Sequence, residues 1–358
     1  MSSPNGGWSK SDHAKTANEI QIRYGSNLIA QESLKWGRYV IVTTPSAHNI
    51  IKNNLDSKPE AVEYARNLDY QHLQQITDKF PDDAQLVVGV GGGTALDASK
   101  YVALTKNVPL ILVPTIVSTG AIVHSVFARW NGHHIVGHPD TWPWLNCEEA
   151  IVDYELVLKA PPYLNTAGLG DILCSYSGVA EWKYNAINGN APTFDQSAVE
   201  VNTLFHQDIV NRFPLTLSAS GELSVESVQF IMQGIQDRDS KGHTNPHAIQ
   251  GDHDFAGCIE GINGKGWVHG ELVALGAIII AWHCDQNPEF LIKMLDICKV
   301  RHRPSEMGIS KEELRKGLEF APIYMSDQKN GRDTQSILRL NPITGTRFDD
   351  LWVYLERN

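Results

Sequence analysis

The stretch from Leu86 to Leu104, LVVGVGGGTALDASKYVAL, decides how the fold is read. An apolar run with strand character leads into Gly91, Gly92 and Gly93, and a helical pattern follows directly. Glycine loses more conformational freedom on folding than any other residue, so three in a row at an element boundary mark a place where something approaches the backbone closely. The strict GxGxxG fingerprint fails, because Thr94 stands where its last glycine belongs, and no Gly-Lys-Ser/Thr follows to make a Walker loop. The physics does not depend on the strict pattern. A glycine turn opening a helix presents free backbone N–H groups at the positive end of the helix dipole, which suits the pyrophosphate of a dinucleotide. The alternative is a tight turn that binds nothing. Thr94 is expected to cap the helix, with Asp97 completing a capping box and Lys100 pairing with Asp97.

Outward from this unit, EIQIRYG, RYVIVTT, LVVGV and LILVPT have strand character, while KPEAVEYARNL and YQHLQQITDKF look helical. Strands alternating with helices predict a parallel sheet covered on both faces. From about Tyr163 the texture becomes helical, as in TAGLGDILCSYSGVAEWKYNA and SAVEVNTLFHQDIVNRF. The prolines of KAPPYLN punctuate the change, so the expected organisation is an α/β nucleotide-binding domain over 1–160 and an all-α domain over 161–358. A chain of 358 residues exceeds what one core supports comfortably, which agrees with two domains.

The formal net charge of −11 argues against a nucleic-acid surface, which needs clustered Lys and Arg. A small anionic substrate needs only a local basic pocket and is not excluded. The N-terminal MSSPNGGWSKSDHAK has no apolar core, so no secretory signal is expected. LVALGAIIIAW falls far short of the roughly 20 residues of a spanning helix, so no membrane span is expected either. Cys147, Cys174, Cys258, Cys284 and Cys298 form no CxxC pair, which predicts reduced thiols and a cytoplasmic location.

A second constellation lies in the helical half. Asp171 sits in an apolar helical pattern after Gly168 and Gly170, and an acid there must be solvated, paired or bound to metal. His253 lies near the start of a helical pattern in HAIQGDHDFAGCIEG, and His269 opens another in KGWVHGELVALGAIIIAW. One Asp and two His from separate helices make a plausible set of three metal ligands with one position left open. A chain with 14 histidines also places some at helix starts by chance.

The order GVGGGTALDASK, VPTIVSTGA, AGLGDILCSYSGVAEWK, GDHDFAGCIEG, VHGELVALG resembles the iron-containing alcohol dehydrogenase, glycerol dehydrogenase and dehydroquinate synthase superfamily. Within it, GLGDILCSYSGVAEWK and the segments SEMGISKEELRKGLEFAP and GRDTQSIL are most similar to sn-glycerol-1-phosphate dehydrogenases. The resemblance spans roughly Ile20 to Leu340. It implies a dehydroquinate synthase-like fold, an NAD(P)-binding N-terminal domain, a helical metal-binding and substrate domain, and an active site in the cleft between them. It also implies a homodimer. The residues matching the family's metal ligands are Asp171, His253 and His269, usually holding zinc. Those matching the cofactor loop are Gly91, Gly92, Gly93 and Asp97, with Thr115 and Ser118 beside the nicotinamide. The sequence departs from the pattern at Ser175, where iron-type enzymes have a His and the phosphoglycerol enzymes a Lys. It departs also at Gly257, in place of a second His, and at Thr119 and Gly120, in place of an Asp that positions substrate. Thr43 and Thr44 stand where an acid would select NAD, so NADP is admitted.

These readings point to a metal-dependent NAD(P) oxidoreductase interconverting a hydroxyl and a ketone on a small polyol or polyol phosphate. His124 and His247 are the candidates for proton transfer, and Lys265, Arg301 and Arg303 for a substrate phosphate. For KVRHRP the competing reading is a solvated turn. The rival chemistry is a sugar-phosphate cyclase of the dehydroquinate synthase kind. It needs a dense cationic cradle, yet Asp171 to His253 holds only Lys183, Arg212, Arg238 and Lys241. A catalytically inactive nucleotide-binding relative is the third reading.

Overall fold

The computed structural model describes residues 6–7, 14–135, 143–240, 249, 251–328 and 333–357. The chain divides into two compact units. One comprises Met1–Asn131, Val136–Asn165 and Leu223–Met232; the other comprises Gly132–Ile135, Thr166–Glu222 and Gln233–Asn358.

The first unit is built on a six-stranded sheet: β1 (Ile22–Gly25), β2 (Tyr39–Thr43), β3 (Ala61–Tyr64), β4 (Leu86–Gly91), β5 (Leu110–Pro114) and β6 (Glu149–Asp153). Their spatial order is β1-β6-β5-β4-β2-β3, and every pairing is parallel. Between them run α1 (Leu28–Ser33), α2 (Pro45–Ile51), α3 (Tyr70–Asp78) and α4 (Gly93–Lys106). The branched apolar residues of β2 and β4 are wholly buried, as a sheet covered on both faces requires. Each such side chain contributes roughly 1.5–3 kcal/mol on leaving water.

One expectation is corrected here. KPEAVEYARNL is not helical; its Ala61–Tyr64 form β3, paired with β2 from Val40↔Ala61 to Thr43↔Tyr64. Its local propensity is weak for a strand, and the free edge of β2 supplies the hydrogen bonds that override it. Strand β6 carries no strong sequence signal because its two acidic ends, Glu149 and Asp153, break the apolar run.

The second unit is helical. It takes in most of α5 (Pro162–Leu173), then α6 (Ser175–Ile187), α7 (Glu200–Arg212), the last part of α8 (Val225–Ser240), α9 (Gly251–Asn263), α10 (His269–His283), α11 (Pro288–Ile297), α12 (Lys311–Met325) and α13 (Gly345–Arg357). Every residue of α10 from Gly270 to Ala281 is buried, so the apolar run LVALGAIIIAW is the core helix of this unit. Among the described residues no helix is long and apolar enough to cross a membrane. All five cysteines are buried free thiols.

Candidate functional site

Strand β2 leads on to β3 on one side of it and β4 leads to β5 on the other, so the chain reverses direction across the sheet between β2 and β4. In open parallel sheets, ligands sit at the carboxyl ends of the strands at such a switch point. The glycine loop is at this place. Thr43 of β2 pairs with Val90, and Gly91 ends β4 with φ 145°, a conformation that favours glycine. A Cβ on Gly91 would lie 2.8 Å from Ala95 Cβ, and one on Gly92 would lie 2.8 Å from Ile116 Cδ1.

The cap of α4 differs from expectation. Gly92 is the N-cap, without a side-chain hydrogen bond, and the helix begins at Gly93. The glycines let the chain turn sooner than Thr94, which becomes the second helical residue. The cap therefore supplies no side-chain acceptor to the N–H groups of Gly93 and Thr94, the arrangement that suits a phosphate. Asp97 does pair with Lys100, at 3.0 Å, and its other oxygen accepts from Ala128 N at 3.0 Å. Lys100 Nζ donates further to the Ala121 carbonyl at 2.7 Å. Asp97 thus braces the loop that follows β5. Thr115 and Ser118 are buried on that loop, and Thr115 N donates to the Gly91 carbonyl at 3.0 Å. His124 is half-buried at the end of the same segment. His247 lies outside the described residues.

In the second unit, α5 and α10 approach so closely at Gly170 that a Cβ there would run into the Gly270 carbonyl. This approach sets Asp171 beside His269, each one residue from its glycine. The first turn of α9 brings His253 to the same point. Asp171 Oδ1 lies 3.4 Å from His253 Nε2 and 3.7 Å from His269 Nε2, and the two rings are 5.2 Å apart at 64°. Donors at about 2.0–2.1 Å around one tetrahedral ion stand about 3.3–3.4 Å from each other, a spacing that the Asp171–His253 distance matches and the Asp171–His269 distance approaches. Asp171 is buried, whereas the His253 and His269 side chains are 31% and 38% exposed, which leaves the centre open to a further ligand.

Charge is arranged to match. Burial acts to raise the Asp171 carboxyl, but the Arg238 guanidinium, 2.8 Å away, and the two imidazoles outweigh it and hold the group well below the usual carboxylate range. Burial brings His269 down to about 4 against the pull of Asp171, leaving a neutral ring ready to ligate. For His253 burial works downward, yet the facing Asp252 and Asp171 raise it well above its ordinary value.

Sequence reasoning missed three members of this group. Cys174 offers its Sγ within 4.8 Å of the Asp171 and His253 donors, and its spacing three residues after Asp171 was the available signal. Its thiol donates to the Asp171 carbonyl, and burial pushes it up to about 12. Arg238, which also bonds the Asp171 carbonyl, and Asp252, which bonds His253 Nδ1, left no local signal at all.

The departures have local causes. Ser175 Oγ lies 2.8 Å from His206 Nε2 and accepts from Asn202 Nδ2 at 3.2 Å. At Gly257 a Cβ would lie 2.7 Å from Tyr324 Cζ, so the Tyr324 ring fills the space a second histidine would take. That ring is stacked on His134, with centroids 5.1 Å apart. Gly257→Ala is therefore expected to cost about 1–3 kcal/mol by overpacking, and Tyr324→Leu to relieve most of it. Urea denaturation of the single and double variants measures this; additive costs would refute it. Near this site Glu181 is buried on α6, bonded to Ser336 and to Ile337 N, and burial raises it to about 8. The folded state then holds a proton that the unfolded chain has released, so stability is expected to fall as pH rises from about 4.5 through 8. Glu181→Gln should flatten that slope in melting curves taken across the range.

Of the candidates for a substrate phosphate, Arg301 is bound by two hydrogen bonds, 2.6 and 2.8 Å, to the buried Glu271. Its charge is committed to holding α10. Lys265 pairs with Glu313 at 3.0 Å and Arg303 with Glu306 at 3.2 Å, both solvent-exposed contacts of the weak kind.

Residues 19–161 match the family model described as iron-containing alcohol dehydrogenase. Glycerol-1-phosphate dehydrogenase [NAD(P)+] of Thermoplasma volcanium is 24% identical over 293 residues, covering 79% of this chain and 80% of that one. Glycerol dehydrogenase of Thermotoga maritima is 24% identical over 318 residues, covering 82% and 85%. The crystal structure of glycerol dehydrogenase from Schizosaccharomyces pombe superposes with a TM-score of 0.61 at 19% identity, over 94% of this chain and 89% of that one, and shows the shared fold. The resemblance suggested by the motifs is shown by these matches, and the fold is the N-terminal α/β, C-terminal helical one that it implied.

Proposed function

We propose that this chain, whose residues 19–161 match the iron-containing alcohol dehydrogenase model, is a metal-dependent NAD(P) oxidoreductase that interconverts a hydroxyl and a ketone on a small polyol or polyol phosphate, as a glycerol-1-phosphate dehydrogenase does. The convergence of Asp171 Oδ1 with His253 Nε2 and His269 Nε2 carries the reading. A divalent ion held there, zinc by its donor set, supplies a Lewis acid for the substrate oxygen, while NAD or NADP supplies hydride chemistry.

The chain's own residues do the rest. Gly91, Gly92 and Gly93 receive the cofactor pyrophosphate at the α4 N-terminus, and Thr115 and Ser118 flank the nicotinamide. Asp97 braces that loop through Lys100 and Ala128. Arg238 holds Asp171 ionised, and His269 stays neutral. His124 is the described candidate for proton transfer. Lys265 and Arg303 remain candidates for a substrate phosphate, and Arg301 is set aside because Glu271 holds it.

The test follows absorbance of the reduced cofactor with dihydroxyacetone phosphate as substrate, using NADH and NADPH in turn. The expected result is steady oxidation that stops on chelation and returns with zinc. Tight binding of reduced cofactor without turnover on any ketose would overturn the assignment. Release of inorganic phosphate with no net change in cofactor would identify a cyclase instead.

A further inference from the structure

Resting on the reading of Asp171, His253 and His269 as a metal centre, we propose that Asp252 is a positioning residue that fixes the His253 ring for ligation. Asp252 is 2% exposed and sits beside His253 in the first turn of α9. One carboxylate oxygen bonds His253 Nδ1, and the other accepts from Ser177 Oγ. Ser177 in turn is anchored on α6, its hydroxyl also within 2.9 Å of the Cys174 carbonyl. The Asp252 backbone also packs closely on α10: at Gly276 a Cβ would lie 3.1 Å from the Asp252 carbonyl oxygen and 3.2 Å from its Cα.

A histidine ligates through a nitrogen lone pair, so the proton must sit on the other ring nitrogen. With Asp252 accepting at Nδ1, that proton is held in place, so a metal displaces the proton at Nε2 and is ligated by the Nε2 lone pair. That nitrogen is the one facing Asp171 at 3.4 Å. The His253 side chain is 31% exposed, with its ring edge-on to that of His269 at 5.2 Å. Without Asp252 the ring is free to flip or to swap tautomers, and each wrong state subtracts from the fraction competent to bind. Carboxylates in this position typically alter metal affinity 10–100-fold.

The experiment measures zinc and cobalt(II) affinity of the full chain by competition with a chromogenic chelator, together with the cobalt d–d spectrum and the melting temperature of the metal-free protein. Asp252→Ala is expected to lose about 10–100-fold in affinity and to shift the cobalt spectrum. Asp252→Asn, whose amide oxygen still accepts from Nδ1, should recover much of that loss. In a His253→Ala background Asp252→Ala should have no further effect. Unaltered affinity in Asp252→Ala, or equal loss in Ala and Asn variants with an unchanged melting temperature, would overturn the inference while leaving the metal centre standing. Failure of the wild-type chain to bind either ion one-to-one would overturn both together.

Discussion

If Asp171 holds the proposed divalent metal, replacing it with Asn is expected to remove the metal and to lower turnover by on the order of a thousandfold, through the loss of several kcal/mol of Lewis-acid stabilisation. The amide keeps the shape of the carboxylate but cannot ligate with charge, and it leaves two imidazoles to hold a divalent ion alone. A second effect is separable from the first. Asp171 and Arg238 form a buried ion pair at 2.8 Å, so the neutral amide removes the charge that faces a guanidinium only 8% exposed. Breaking a buried pair from one side costs about 3–5 kcal/mol. Elemental analysis reads the metal, steady-state kinetics the activity, and denaturant titration the stability. Adding Arg238→Met to Asp171→Asn should restore much of the stability and none of the zinc. Full zinc content in Asp171→Asn would remove this residue from the centre.

Gly170→Ala carries the next largest expected effect, although it touches neither metal nor substrate. The new methyl runs into the Gly270 carbonyl and comes to 3.0 Å from Val300 Cγ1, and a backbone carbonyl in the core helix has nowhere to retreat. Overpacking of this kind costs about 1–3 kcal/mol. Because Asp171 and His269 are the next residues along and back from the two glycines, prising α5 from α10 is expected also to separate two of the proposed ligands. A displacement near 1 Å at a reacting centre costs on the order of a hundredfold in rate. Gly266→Ala is the control, since its Cβ would meet only Glu260 Oε1 at 3.8 Å. Equal activity in the two variants would show that the close approach does not set the site.

Much of the fold was legible because its signals are local. Strands β2, β4 and β5 are apolar runs, and the three glycines before α4 mark the turn between strand and helix. The missing strand β3 shows the limit: Ala61 to Tyr64 become a strand only because β2 presents an edge to pair with. The same limit explains the Thr94 cap, since the glycines preceding it decide where the turn closes. It also explains why the pairing of Arg301 with Glu271, thirty residues earlier in the chain, left no mark in the sequence.

The sequence by itself determined the class of this protein. Periodicity, glycine placement and the order of its motifs act through bonds and backbone conformations within a few residues, so they survive without knowledge of the neighbours. Only the tertiary structure decided which side chains share an environment. Asp171 is joined by Arg238, Cys174, His253 and His269, and His253 by Asp252 and through it Ser177; these groups span more than ninety residues of chain. Their charges, tautomers and distances are set by burial and by glycines that let three helices approach, and those quantities exist only once the helices have packed.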